Sequence, residues 1–358
     1  MSLSVAHRRL RNQRIAGSTF DTPGEVVSWL GTVQAQDYLG ALWAVGLRMR
    51  SAAEGDVERA LAERTIVRTW PMRGTLHFVA AADVRWMLEL MTPRVVAASA
   101  ARLQRDYELD DAVFARGRDV LVNALQGGRQ LTRNAIYETL ESARISASGQ
   151  RGLHIVWRLA QEGLLCFGAR EGKQPTFVLL DEWVPDARLL ERDEALAELA
   201  RRYFTGHGPA TAQDFAWWSG LAATDAKAGL EMAKLHLIDE VIDGKTYWFS
   251  SSTPMANDAS PHACLLPAYD EYTVAYKDRG AVLDPVHAKR PDSGSGIFHP
   301  TMILDGQVVG TWKRALEKRS VAITLRPFDP LKKTGRNAFA KAARRYGEFL
   351  GLSAAVRL

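Results

Sequence analysis

Residues 130–180, QLTRNAIYETLESARISASGQRGLHIVWRLAQEGLLCFGAREGKQPTFVLL, decide the fold. Thr132 stands where a helix N-cap belongs, and apolar Ile136 and Leu140 follow four apart, so a helix is expected to begin there. The stretch RGLHIVWRLAQEGLL sets Leu153, Val156, Trp157 and Ala160 on one helical face. Two alternating runs follow, LLCFG and TFVLL, joined by the polar turn AREGKQP. A further helix, RGRDVLVNAL, precedes the stretch and is stopped by Gly127-Gly128. Helix, helix, helix, hairpin is the order of a winged helix-turn-helix unit.

The same order recurs downstream. EALAELARRYF reads as a helix stopped by Gly206 and Gly208. TAQDFAWWSGL follows, with Thr211 and Asp214 at capping-box spacing. TDAKAGLEMAKL is a third helix, and HLIDEVI and KTYWFS form a hairpin around the Asp243-Gly244 turn. A further copy is read near the N-terminus. There Thr22 is the cap, Pro23 the first helical residue and Glu25 the completing residue of a capping box. GDVERALAERT is the next helix, IVRTW and GTLHFV are strands around Pro71-Met72-Arg73, and DVRWMLELMTPRVV links onward. SSTPMANDASP reads as a linker. After it come short strands and helices, an Asp305-Gly306 turn and a closing helix, GRNAFAKAARRYGEFLGL. The expected class is α+β: three tandem winged helix-turn-helix units plus a C-terminal β-rich portion. The divisions fall at residues 1–100, 101–185, 186–252 and 253–358.

Composition bounds the chemistry. At 358 residues and 47% hydrophobic, the chain supports packed cores and more than one domain. Its formal net charge of +5 permits a phosphate-binding face without proving one. Cys166 and Cys264 lie far apart and form no C-x-x-C pair, which argues against structural zinc and a disulfide framework. A reducing cytoplasm is the natural reading, with Cys166 a buried strand thiol. No apolar run serves as a signal peptide or a membrane span. The eight histidines are scattered without an H-x-x-x-H pair, so no metal is expected. Phosphate-loop, dinucleotide and G-x-S-x-G signatures are missing too, and no cofactor is assigned.

Winged helices usually bind duplex DNA. Basic residues suited to phosphate contact include Lys313, Arg314, Lys318 and Arg319, and then Lys332, Lys333, Arg336, Lys341, Arg344 and Arg345. For the closing helix a solvated face, with Phe339, Tyr346 and Phe349 packed inward, weighs equally. HRRLRNQRI offers a similar choice between a phosphate-lying segment and an amphipathic first helix anchored by Leu10 and Ile15. Of the adjacent Trp217 and Trp218, one must point away from a one-sided core. Tyr269, Tyr272 and Tyr276, flanked by Asp270 and Arg279, read as a core cluster with one ion pair.

Within TVQAQDYLGALWAVGLR, Gln34 and Gln36 stand two apart. In a helix they would point about 200° from one another, so joint action requires a non-helical backbone. The helix starting at Thr22 is therefore expected to end near Val33 or Gln34. An amide both donates and accepts, and a pair can fix one water in one orientation. It is a poor general base. A purine alkylated at N7 already carries positive charge and leaves with little acid assistance, so water capture there needs mainly positioning. The residues alone do not separate this reading from two ordinary amides.

VQAQD with Trp43, TWPMRGTLHFV, HGPAT with DFAWWSGL, LLPAYDEY with YKDR, and GIFHPTMILDGQVVGTWKR span nearly the whole chain. In them the chain resembles the HTH_42 superfamily of winged-helix DNA glycosylases, in its azinomycin B resistance branch. The resemblance implies a concave DNA-binding surface and monofunctional excision of alkylated bases. It makes Gln34-Ala35-Gln36 the catalytic Gln-apolar-Gln motif. The implied partner is double-stranded DNA containing alkylated purines, with bulky or crosslinked N7 adducts and self-resistance to a DNA-alkylating natural product in view; three units fused in one chain make a monomer sufficient. Arg73 and His77 in the first wing, with Lys313 and Arg314, are the candidate DNA contacts. The rival is a non-enzymatic winged-helix regulator or a drug-binding protein.

Overall fold

The computed structural model describes residues 2–17, 19–251, 262–288 and 299–357. Most of the SSTPMANDASP stretch lies outside them. The chain forms two compact units, Arg59–Ala195 with Ser219–Leu221, and Met1–Glu58 with Leu196–Trp218 and Ala222–Leu358. The sequential divisions at residues 100, 185 and 252 follow the order of elements along the chain. The compact units instead gather segments distant in sequence.

The first of these units contains the stretch that decides the fold. Helices Asp111–Leu125, Arg133–Ser142 and Arg151–Gln161 accompany a small antiparallel sheet. In that sheet Thr176–Leu179 lies between Leu131–Thr132 and Leu165–Phe167. Thr132 caps its helix by accepting from Ala135 N–H at 3.3 Å. The buried face of Arg151–Gln161 is Ile155, Val156, Leu159 and Ala160. It is rotated from the expected one, and Leu153 is 38% exposed. Ile155 and Leu159, four apart, enter the apolar core with Phe114, Leu121, Ile136 and Leu140. Trp157 sits at its margin and donates from Nε1 to Gly74 O at 3.0 Å. The hairpin Ile66–Met72 and Thr75–Ala80 leads into the 24-residue helix Val84–Tyr107, which continues through Pro93.

The second unit contains helices Ser2–Asn12, Pro23–Leu30, Tyr38–Gly46 and Ala223–Ala233, and the hairpin Leu237–Ile242 with Lys245–Ser250. Arg192–His207 and Ala212–Ser219 contribute most of their length. Gly206 does not stop its helix, which runs on to His207; a Cβ there would lie 2.7 Å from the Trp29 carbonyl oxygen. Thr211 and Asp214 complete a reciprocal capping box at 3.0 and 3.1 Å. At the DG turns, Asp243-Gly244 and Asp305-Gly306 all take positive φ, as two-residue hairpins of this type require.

A five-stranded sheet follows the order Ser353–Arg357, Ser320–Pro327, Gln307–Leu316, Thr301–Leu304, Ala263–Leu266. Its outermost strand, Ser353–Arg357, is parallel to its neighbour and has no counterpart among the elements expected from the sequence. The helix Lys333–Phe349 supplies the crossover and buries Phe339, Tyr346 and Phe349. Trp43 meets Tyr346 and Phe349 at ring separations of 5.0 and 5.1 Å.

Candidate active site

The helix Pro23–Leu30 is fixed at its start by Thr22, which accepts from Glu25 N–H, while the Glu25 carboxylate accepts from Thr22 N–H at 2.9 Å. It stops at Gly31, whose φ of 76° closes that position to most side chains. The last helical residue, Leu30, falls short of the expected end near Val33. Thr32–Gln34 is a short strand. Asp37 then caps the helix Tyr38–Gly46, accepting from Gly40 N–H at 3.2 Å. Gly40 has to be small, because a Cβ there would lie 2.6 Å from Asp37 Oδ2. Residues 34–36 are thus a non-helical passage between two capped helices. Gln34 is 8% exposed and Ala35 fully buried, while Gln36 emerges to solvent.

The passage is held from behind by Glu271. Its Oε1 accepts from Gln34 N–H at 3.1 Å and its Oε2 from Trp218 Nε1–H at 2.8 Å. His207 Nε2 stands 3.4 Å from the same Oε2, and both side chains are fully buried. Tyr203 stacks on the His207 ring at 4.9 Å. Of the tryptophan pair, Trp218 is wholly buried and Trp217 is 46% exposed, as adjacent helical residues require.

Beside Glu271 lies a second buried charge. Asp270 receives both terminal nitrogens of Arg48 at 2.9 Å and also caps Tyr272 N–H. Its ion-pair partner is therefore Arg48, not Arg279, which donates to Thr273 O instead. Burial alone would lower the Arg48 pKa, but the facing Asp270 carboxylate more than offsets it and the net shift is upward. Tyr272 and Tyr276 are fully buried with Tyr203, and burial raises all three phenols. Tyr276 donates to His207 O at 2.7 Å and accepts from Gln13 Nε2. Tyr269 is half-buried and takes a φ of 62°. Arg9 is buried over the Tyr276 ring at 3.6 Å, which removes it from any phosphate-lying face.

The other candidate residues fall elsewhere. Arg73 and His77 come together in the first hairpin, where Arg73-Gly74 is a two-residue turn with positive φ at both positions. His77 is buried. Its Nδ1 faces Thr75 O at 2.9 Å, which requires a proton there, leaving Nε2 to accept from Arg73 at 3.3 Å. Lys313 and Arg314 are adjacent strand residues and point to opposite faces. Lys313 is exposed, whereas Arg314 turns inward to the Tyr346 hydroxyl.

Sequence reasoning gives Glu271 no role. Its only local signal is a pair of carboxylates, Asp270-Glu271, inside an otherwise apolar and aromatic run. Among the described residues no three His, Cys, Asp or Glu side chains gather into a metal site. None of the described helices is long and apolar enough to cross a membrane.

Against known proteins, residues 27–349 match the family model described as DNA glycosylase AlkZ-like. A curated protein of Streptomyces sahachiroi, "Interstrand DNA cross-link repair glycosylase", is 28% identical over 365 residues, covering 96% of this chain and 95% of its own. The solved structure "Streptomyces sahachiroi DNA glycosylase AlkZ" superposes with a TM-score of 0.81 at 23% identity, covering 99% of this chain and 98% of that one.

Proposed function

The chain belongs to the AlkZ-like family of DNA glycosylases, and from that premise we propose that it excises bulky or crosslinked N7-alkylpurines with a water held by Gln34 and Gln36. The observation that carries the reading is the passage itself. Two amides stand on a non-helical backbone between capped helices, one buried and pinned through its N–H, the other open to solvent. Glu271 is fully enclosed and already accepts from Gln34 and Trp218, so its carboxylate does not reach a solvent water as a base.

This division suits a substrate that needs little base or acid. The C1′–N9 bond breaks with its electrons passing to the cationic purine, which leaves neutral. The sugar becomes an oxocarbenium ion, water adds to C1′, and its proton passes to solvent. The amides orient that water and stabilise the developing charge through their carbonyl oxygens. The preference for crosslinked adducts is supported by the function named for the Streptomyces relative. Family membership tells against the regulator and drug-binding readings.

An excision assay on duplex DNA containing N7-methylguanine tests the assignment. Gln34→Ala and Gln36→Ala are each expected to slow base release by about 10²-fold, the scale on which misplacement of a reacting group acts. Full activity in both variants sinks it. The product is expected to be an abasic site, with strand cleavage only after alkali.

A further inference from the structure

We propose that the outer face of the helix Lys333–Phe349 is a rail for the phosphate backbone of duplex DNA. Lys333, Arg336, Lys341 and Arg344 are all exposed on it. At 100° per residue they fall within an arc of about 140°, and they span about 16 Å of helix axis. The apolar side of the same helix, with Phe339, Ala343 and Tyr346, is buried.

The charge on this face is basic up to the last turn, where the exposed Glu348 falls within the same arc. No acidic residue occurs between Lys333 and Gly347. A helix face that serves only to be solvated is ordinarily laced with opposite charges three and four residues apart, which support it. Within this helix Lys333, Arg336 and Lys341 have no such acidic neighbour, and like charges repel along the row. Arg50, Lys341, Arg344 and Arg345 outnumber Asp56 and Glu348 in the lining of one cavity of about 760 Å³ between this helix and the segment following Tyr38–Gly46. A polymer of regularly spaced phosphates complements such a row, and DNA is the polymer on which this family acts.

The rail is mechanically coupled to the Gln34–Gln36 passage. The helix that opens at Asp37 packs its far end on the terminal helix, through Trp43 against Tyr346 and Phe349 and through Gly46 against the Phe349 ring. DNA seated on the rail is thereby registered against the passage by one short helix. The proposal rests on DNA being the substrate, not on the roles given to Gln34 and Gln36.

The test is binding of the full chain to an undamaged duplex, by fluorescence anisotropy between about 50 and 200 mM salt. The variant K333Q/R336Q/K341Q/R344Q is expected to bind more weakly. Its plot of log K against log salt should be shallower by about 0.9 for each phosphate no longer neutralised. If the quadruple variant melts early, the four single variants carry the test, each shallower by about 0.9. Slopes and affinities equal to those of the unaltered chain overturn the rail. Binding to undamaged DNA reads the rail, while base release reads the Gln34 and Gln36 assignment, so the two fail separately.

Discussion

The backbone N–H of Gln34 donates to Oε1 of Glu271, 237 residues away in sequence, and that bond ties the passage on which both amides stand to a buried carboxylate. Glu271→Gln preserves the shape of the side chain, but its amide nitrogen must then face either Gln34 N–H or the Trp218 indole N–H. Each orphaned buried donor costs about 1–3 kcal/mol. The variant is expected to melt earlier and to lose kcat for base release by about tenfold or more, with KM nearly unchanged, because geometry rather than binding is damaged. Thermal melts with steady-state kinetics check it. An unaltered kcat in a destabilised variant would restrict Glu271 to folding.

Arg48 donates to Gln13 O, Gln13 Oε1, Ala44 O and both oxygens of Asp270, all at 2.8–2.9 Å. Asp270→Asn leaves a guanidinium charge enclosed without its counter-charge. Removing one partner of such a pair typically costs about 3–5 kcal/mol. Urea unfolding should show a lower midpoint at unchanged slope.

Gly46 leaves no room for a methyl group, since a Cβ there would lie 2.4 Å from the Phe349 ring. Gly46→Ala is expected to destabilise by about 1–3 kcal/mol. Phe349→Leu in the same chain should recover part of that stability. A double-mutant cycle with a coupling energy near zero would contradict the packing of these two residues.

Burial pushes the Cys166 and Cys264 thiols well up from their ordinary value. Neither should react with a thiol reagent in the native protein, and both should react in denaturant. The sign of the linkage follows. Below about pH 8.5 both states keep the proton and the contribution is constant. Above it the unfolded thiols ionise first, so stability declines by about 1.4 kcal/mol per pH unit per cysteine. Denaturation at about pH 8 and about pH 10, on either side of the free thiol pKa, measures it. A Cys264→Ala chain should show a smaller decline.

What is legible in the sequence is local. Thr22 with Glu25, Thr211 with Asp214, Thr132 and the two Asp-Gly turns are each read within four residues, and each forms as its chemistry dictates. The opposite exposures of Trp217 and Trp218 follow from helical geometry alone. The supports of the site are not legible, because Gln34 meets Glu271 and Arg48 meets Asp270 across more than 220 residues. No periodicity encodes such a pairing, and proximity in sequence points Asp270 toward Arg279 instead. Leu153 falls inward only if the helical face is drawn through Leu153 and Trp157, whereas the core takes Ile155 and Leu159. Ser353–Arg357 escapes a local reading because a short strand there pairs in parallel with one on the far side of a helix.

The discontinuous unit has a consequence for when the enzyme is born. Arg59–Ala195 is essentially one contiguous piece, and its fold can close as it leaves the ribosome. Gln34 and Gln36 emerge early but wait for Glu271 and for Trp43's partners at Tyr346 and Phe349. At about 5–20 residues per second, that wait lasts about 12–50 seconds for Glu271 alone. The proposed hydrolytic site is therefore assembled last, and a nascent chain has the compact unit Arg59–Ala195 well before it can act on DNA.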